Sequence, residues 1–177
     1  MKDRAAGVLL AISSLPSKYG IGTLGKEAYH FVDQLAKANQ RYWQVLPVGP
    51  TSYGDSPYQS FSAFAGNPYF IDLEMLEEEG LLKKEDMEAY DWGDSLAYVD
   101  YENIYNNRFS VLKKAYKASS FQKEKEYRKF VKENTYWLED YSLYMALKFY
   151  FGGIEWDQWE DEIRMHKKSA VAHYTKL

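Results

Sequence analysis

The chain has 177 residues, enough to bury the core of a single domain, and its 46% hydrophobic and 27% charged residues make an ordinary globular balance rather than a disordered one. A formal net charge of -4 and a pI near 5.5 argue against a surface that tracks phosphates, so nucleic acid is not expected as a partner. No apolar run approaches the ~18 residues of a membrane span and no cleavage pattern follows the first residues, so no membrane partner is expected and the location reads as cytoplasmic; with no cysteine, disulfides and thiol chemistry are excluded.

In chain order, Ala6 to Ile12 is an apolar run (AGVLLAI) closed by Ser13, Ser14 and Pro16, which predicts a buried strand. Gly25 to Asn39 places Ala28, Phe31, Val32, Leu35 and Ala36 at spacings of three and four, with Glu27 in the first turn and Asn39 at the stop, which predicts an amphipathic helix. Tyr42 to Val48 predicts a second strand, closed by Pro47, Gly49 and Pro50. Strand, crossover helix and strand in that order predict a right-handed parallel unit.

Between Thr51 and Pro68 the chain is rich in Gly, Ser, Pro and aromatics with neither helical nor alternating period, which predicts a long ordered loop of functional rather than connective character. Tyr69 to Leu73 is expected as a further short strand or an extended edge. Helical patterns then follow at Leu73 to Gly80, Lys84 to Tyr90, Glu102 to Ala118 and Ser120 to Phe151, with Ser119 and Gln122 spaced as a capping box and Gly152-Gly153 as a stop. The tail from Trp156 to Leu177 is polar and helical at its end.

The chemistry begins with what is missing. His30, His166 and His173 have no metal-ligand spacing, so no metal and no cofactor are expected. GIGTLG from Gly20 to Gly25 fits a dinucleotide fingerprint only by position, because no acidic ribose ligand follows at the required distance; a turn before the helix is its expected role. Glycosidic chemistry needs two carboxyl groups in different environments. Asp55 is the only acid inside the long loop, Asp72 is placed to cap the next helix, and Asp91 and Asp94 flank Trp92 in a turn, so no catalytic pair is evident. The aromatic fraction of 18%, with 17 Tyr and 5 Trp, is high, and flat rings with a polar edge are what a sugar asks of a site, although most single aromatics belong to cores. Trp43 is expected in the core.

The strings SSLPSKYGIGTLG, YWQVLPVGPTSYGDSPYQSFSAFAGNPYFIDLE and WLEDYSLYMALKFYFGG closely resemble the amino-terminal third of 4-alpha-glucanotransferases of the amylomaltase, or disproportionating, type. The resemblance implies an α/β fold: the amino-terminal part of a (β/α)8 TIM barrel, with the first two strands and their loops, followed by a mainly helical insertion subdomain. It implies one incomplete domain over 1–177, with barrel strands and substrate loop in 1–75 and the helical insertion in 76–177. Tyr58 then looks like the tyrosine that packs against the donor sugar beside the scissile bond, with Ser56 and Asp55 bonding hydroxyls or holding the loop, and Tyr53 and Tyr105 resemble tyrosines of a second, remote glucan groove. The family's retaining mechanism uses an aspartate nucleophile, a glutamate acid and base, and a third carboxylate, all from later strands. None of the three is found here, so this chain is expected to be inactive alone and to act on maltooligosaccharides only with the remaining carboxyl-terminal part of the barrel or by self-association. The other reading of the residues is a non-catalytic glucan-binding or partner module that folds by itself. The first reading carries a specific expectation, exposed apolar surface where strands three to eight would pack.

Overall fold

The computed structural model describes residues 4–52, 54–95 and 97–176, which group into two compact units divided between Ser120 and Phe121.

In the first unit, β1 (Gly7–Leu9) pairs in parallel with β2 (Tyr42–Gln44), in the register Gly7 to Tyr42, Val8 to Trp43 and Leu9 to Gln44. The ladder is bracketed by Arg41 N donating to Ala6 O and Leu10 N donating to Gln44 O. Helix α1 (Lys26–Lys37) connects the strands. It ends as its sequence requires: Asn39 takes a left-handed φ of 60°, and Gln40 N returns to Leu35 O. Trp43, expected in the core, is half-buried: it packs edge-on against Phe31 of α1 with centroids 4.9 Å apart, and its Nε1 donates to Leu10 O.

Both strands are shorter than expected, and β1 is not buried. The apolar run after Leu9 leaves the ladder and enters a 3-10 turn at Ile12–Ser14, where Ile12 and Leu15 turn inward. A continuous apolar run cannot mark where ladder pairing ends and packing into a turn begins. All three β1 residues are exposed, because the strand has one ladder neighbour and little else over its apolar side chains.

The expected strand at Tyr69 to Leu73 is also corrected. Pro68–Phe70 is a 3-10 turn capped by Asn67, whose Oδ1 accepts from Tyr69 N, and helix α2 (Leu73–Glu78) starts directly after it with Asp72 Oδ1 accepting from Met75 N. Proline at the first turn position and two capping side chains outweigh the β-preference of the aromatics. Helices α3 (Lys84–Glu88) and α4 (Tyr101–Ala118) follow. One core joins Tyr19 and Ile21 to Tyr69, Leu73, Met87, Trp92, Ile104 and Val111, so α2 to α4 pack with the segment before α1. Two glycines permit this closeness. Gly20 adopts φ 75°, with Trp92 O 2.4 Å from where a Cβ would stand, and at Gly22 a Cβ would meet Ile12 O at 2.0 Å. The Gly20 to Gly25 string is thus a turn and packing device, as its lack of an acidic partner implied.

The second unit holds α5 (Lys125–Tyr150), α6 (Asp161–Arg164) and α7 (Lys168–Tyr174) around Leu147, Trp159, Ile163 and Ala170. A capping box was expected at Ser119. Ser119 ends α4, its Oγ donating to Tyr116 O, and α5 begins only after a 3-10 turn at Phe121–Lys123. The stop at the glycine pair does form, with Gly152 and Gly153 at φ 67° and 83° and Gly153 N bonding Lys148 O.

Candidate functional site

The loop from Thr51 to Pro68 follows β2, which ends at Gln44, and is closed at its far end by Asn67 N donating to Val48 O at 2.8 Å. Without a ladder, its backbone must find partners elsewhere, and the serines supply them. Ser60 Oγ donates to Ser62 O, Ser62 Oγ accepts from Phe64 N and Ala65 N, and Ser56 Oγ accepts from Tyr58 N at 3.3 Å. That last bond caps a 3-10 turn, Pro57–Gln59, which carries Tyr58 outward with 74% of its surface exposed.

Asp55 stands one residue before that cap, at a left-handed φ of 55°, with its N–H donating to Ser52 O. Partial burial raises its carboxyl above the usual 3.8. Behind it lies a small cavity of about 30 Å³, lined by Ala11 to Ser13 after β1, Leu46, Pro47 and Thr51 after β2, and by Asp55, Asn67 and Tyr101. It holds about one water and no sugar ring. Thr51 Oγ1 is buried beside it without a hydrogen-bond partner among the described residues. The carboxyl ends of both parallel strands thus converge under the loop, the place where strand-to-helix folds carry their sites.

The loop is also joined electrically to α4. Burial pushes the Tyr69 hydroxyl up to about 12, and the nearby charge of Asp55 and the phenols of Tyr105 and Tyr101 add to the rise. Tyr101 is raised by burial, a hydrogen bond with Ser13 pulling it the other way. Of the residues expected in the site, Asp55 and Ser56 lie together at the base of the Tyr58 turn, and Tyr105 stands 68% exposed on the second turn of α4. Tyr53 lies outside the described residues.

Two of the remaining acids, Asp72 and Asp91, have structural partners. Asp72 caps α2 and accepts a short hydrogen bond from Thr23 Oγ1, and Asp91 Oδ1 accepts from Gly93 N. Among the described residues no group of three His, Asp or Glu is placed to hold a metal ion. No helix among them is long and apolar enough to cross a membrane.

Sequence reasoning missed two contributors. Tyr101, at the first position of α4, reaches the cavity under the loop. Arg108 is fully buried and spans two segments, NH1 donating to Tyr19 O at 3.3 Å and NH2 to Ile71 O at 2.5 Å. Burial lowers its guanidinium to about 10, opposed by the nearby charge of Asp72. The signal for Arg108 was present in the spacing: Ile104, Arg108, Val111 and Ala115 fall four, three and four apart, so the arginine occupies a core position of an amphipathic helix.

Residues 10–177 match the family described as 4-alpha-glucanotransferase. The chain is 52% identical over 176 residues to the 4-alpha-glucanotransferase of Streptococcus pneumoniae, covering 98% of this chain and 35% of that relative. It is 52% identical over 163 residues to that of Clostridium butyricum, covering 92% and 34%, and 46% identical over 172 residues to that of Thermus thermophilus, covering 95% and 33%. Among solved structures it is similar to the amylomaltase from Streptococcus agalactiae in complex with acarbose, with a TM-score of 0.90 and 42% identity over 98% of this chain and 36% of that one. The chain spans about a third of the length of the curated relatives it matches.

Proposed function

This chain belongs to the 4-alpha-glucanotransferase family, and from that premise we propose that it supplies part of the α-1,4-glucan site of a transferase that exchanges glucan segments between maltooligosaccharides. The observation that carries the reading is the Tyr58 turn. A ring 74% exposed, on a turn capped by Ser56 and backed by Asp55, sits beyond the carboxyl ends of two parallel strands. A pyranose stacks its axial C–H face on such a ring, while Asp55 and Ser56 fix the turn from behind.

In this reading β1 and β2 are the first strands of a (β/α)8 barrel, and the segment from residue 76 is a helical insertion beside it. Tyr105, with Tyr53, belongs to a second glucan groove. The nucleophile and the acid and base come from the part of the relatives' length that this chain does not span, and the transferase works in the cytoplasm. Exposed Val8, Leu9, Val45 and Val48 favour this over a self-contained binding module, because such a ribbon of apolar side chains is what further strands and helices would cover.

The test is a chimera in which this chain replaces the matching third of the Streptococcus pneumoniae relative. Incubated with maltotriose, it is expected to release glucose and build longer maltooligosaccharides, and the 177-residue chain alone to release none. Tyr58→Ala in the chimera is expected to lower transfer by about a hundredfold through lost positioning. Full transfer by that variant would remove Tyr58 from the site, and glucose from the chain alone would overturn the assignment of the catalytic acids to other strands.

A further inference from the structure

The second unit holds a cavity of about 450 Å³, open to solvent, in the size range of small-molecule sites. Its walls combine apolar and polar groups in a particular way. Trp159 is 7% exposed and clamped by Phe151 and Tyr144, with centroids 5.6 and 5.5 Å away. Its indole N–H is buried and finds no hydrogen-bond partner among the described residues. Clamped on two sides, the ring cannot turn to seek one. Arg164, on the same cavity wall, uses NH1 on Asp157 O and NH2 on Asp161 Oδ1, yet its Nε is also buried without a partner among the described residues. At the rim, Trp156 is 55% exposed, and His166 Nε2 stands 3.5 Å from Asp140 Oδ1.

Two buried donors without acceptors among the described residues belong to side chains that line a cavity with an exposed indole and a carboxylate, and that combination narrows what suits it. An apolar ligand would leave both donors unpaired. An anion would satisfy them but face the Asp140 carboxylate. A sugar ring meets every group at once, since a hydroxyl both accepts and donates and the ring's C–H face suits an indole.

We propose that the second unit carries its own saccharide site, in which a pyranose of an α-1,4-glucan lies against Trp156, accepts from Trp159 Nε1 and Arg164 Nε, and donates a hydroxyl to Asp140. The choice of α-1,4-glucan among saccharides rests on the function proposed above. The site shares no residue with the Tyr58 loop or with Tyr105, so it gives this chain a further handhold on a long glucan and raises the effective concentration of that glucan.

The test titrates maltotriose into the ¹⁵N-labelled 177-residue chain and follows the indole N–H signals. The Trp159 signal is expected to move downfield along a saturating curve as its proton gains an acceptor, with Trp156 moving in step. Trp156→Ala, at an exposed position that does not threaten folding, is expected to weaken that curve about tenfold, and Asp140→Asn to weaken it less. Tyr58→Ala is expected to leave it unchanged. A Trp159 signal that stays still while signals of residues 51–68 move would overturn this site and leave the glucan reading of the loop standing. Stillness in both places would also overturn it, with the chimera's transfer deciding the loop separately. An equal response to Trp156→Ala and wild type would overturn it as well.

Discussion

Around α4, Met87, Ile104 and Val111 have no exposed surface, whereas in the same unit Val8 and Leu9 of β1 and Val45 and Val48 after β2 face solvent. The two regions are similar in composition and differ in what surrounds them. The α4 core draws partners from four segments: the Tyr19 to Ile21 turn, the Tyr69 turn, α2 with α3, and the Trp92 loop. The ribbon has one ladder and one helix, and even α1 leaves Tyr29 and Val32 exposed. Apolar sequence alone does not bury a segment; the number of elements that close on it does. The proposed barrel gives the ribbon the neighbours that its residues are chosen for.

That difference can be broken by substitution. The largest effect is expected in the core: Ile104→Ala or Met87→Ala should cost about 2–5 kcal/mol in urea unfolding, because neither site can collapse. Leu9→Ser on β1 should cost less than about 0.5 kcal/mol in the chain but about 1–3 kcal/mol in the chimera, where the ribbon is covered. Equal costs in both settings would mean that β1 stays open and would sink the barrel reading. Next in size, Gly22→Ala should cost about 1–3 kcal/mol, since its Cβ would stand 2.0 Å from Ile12 O. Arg108→Lys should cost about 1–3 kcal/mol, because one ammonium cannot bond both Tyr19 O and Ile71 O at the guanidinium's spacing. An Arg108→Lys variant as stable as the unaltered chain would mean that one of the two carbonyl bonds carries nothing.

The same contrast explains what could be read in advance. The α1 and α4 helices, the Asp72 cap and the glycine stop after α5 were legible, because each is written in local spacing and capping residues. The stretch from Thr51 to Pro68 was legible through its composition as an ordered loop without helical or alternating period, and Asp55 and Ser56 do meet at the base of the Tyr58 turn. The ends of β1 and β2 were not, since ladder pairing is a property of two segments and an apolar run looks alike on either side of its last bond. The Tyr69 turn was misread because aromatics in sequence favour a strand while Asn67 and Pro68 impose a cap that wins locally. Arg108 was overlooked because charge drew the eye to the surface, although its spacing placed it inside. The cavity beside Trp159 was out of reach, for it depends on how α5 meets the turn at Trp156–Gln158 and α6.

The smallest expected effect bears most directly on the site. Partial burial raises the Asp55 carboxyl above 3.8, so its neutral form is favoured by folding. The stability this contributes is fully present below pH 3.8 and is lost as pH rises through the folded value, above which the ionised group opposes folding. Asp55→Asn keeps the shape, tolerates the left-handed φ of 55°, and stays neutral at every pH. Its melting temperature should therefore lie slightly above that of the unaltered chain at pH 7, with the gap closing below about pH 3.8. If the variant also binds maltotriose more weakly, the chain keeps a charge that costs it stability at the base of the Tyr58 turn because the sugar needs it, as a site tuned for a ligand rather than for rigidity would. A variant less stable at pH 7 would mean instead that the carboxylate anchors the loop, and Asp55 would join Ser56 as a purely structural support, leaving Tyr58 to carry the recognition.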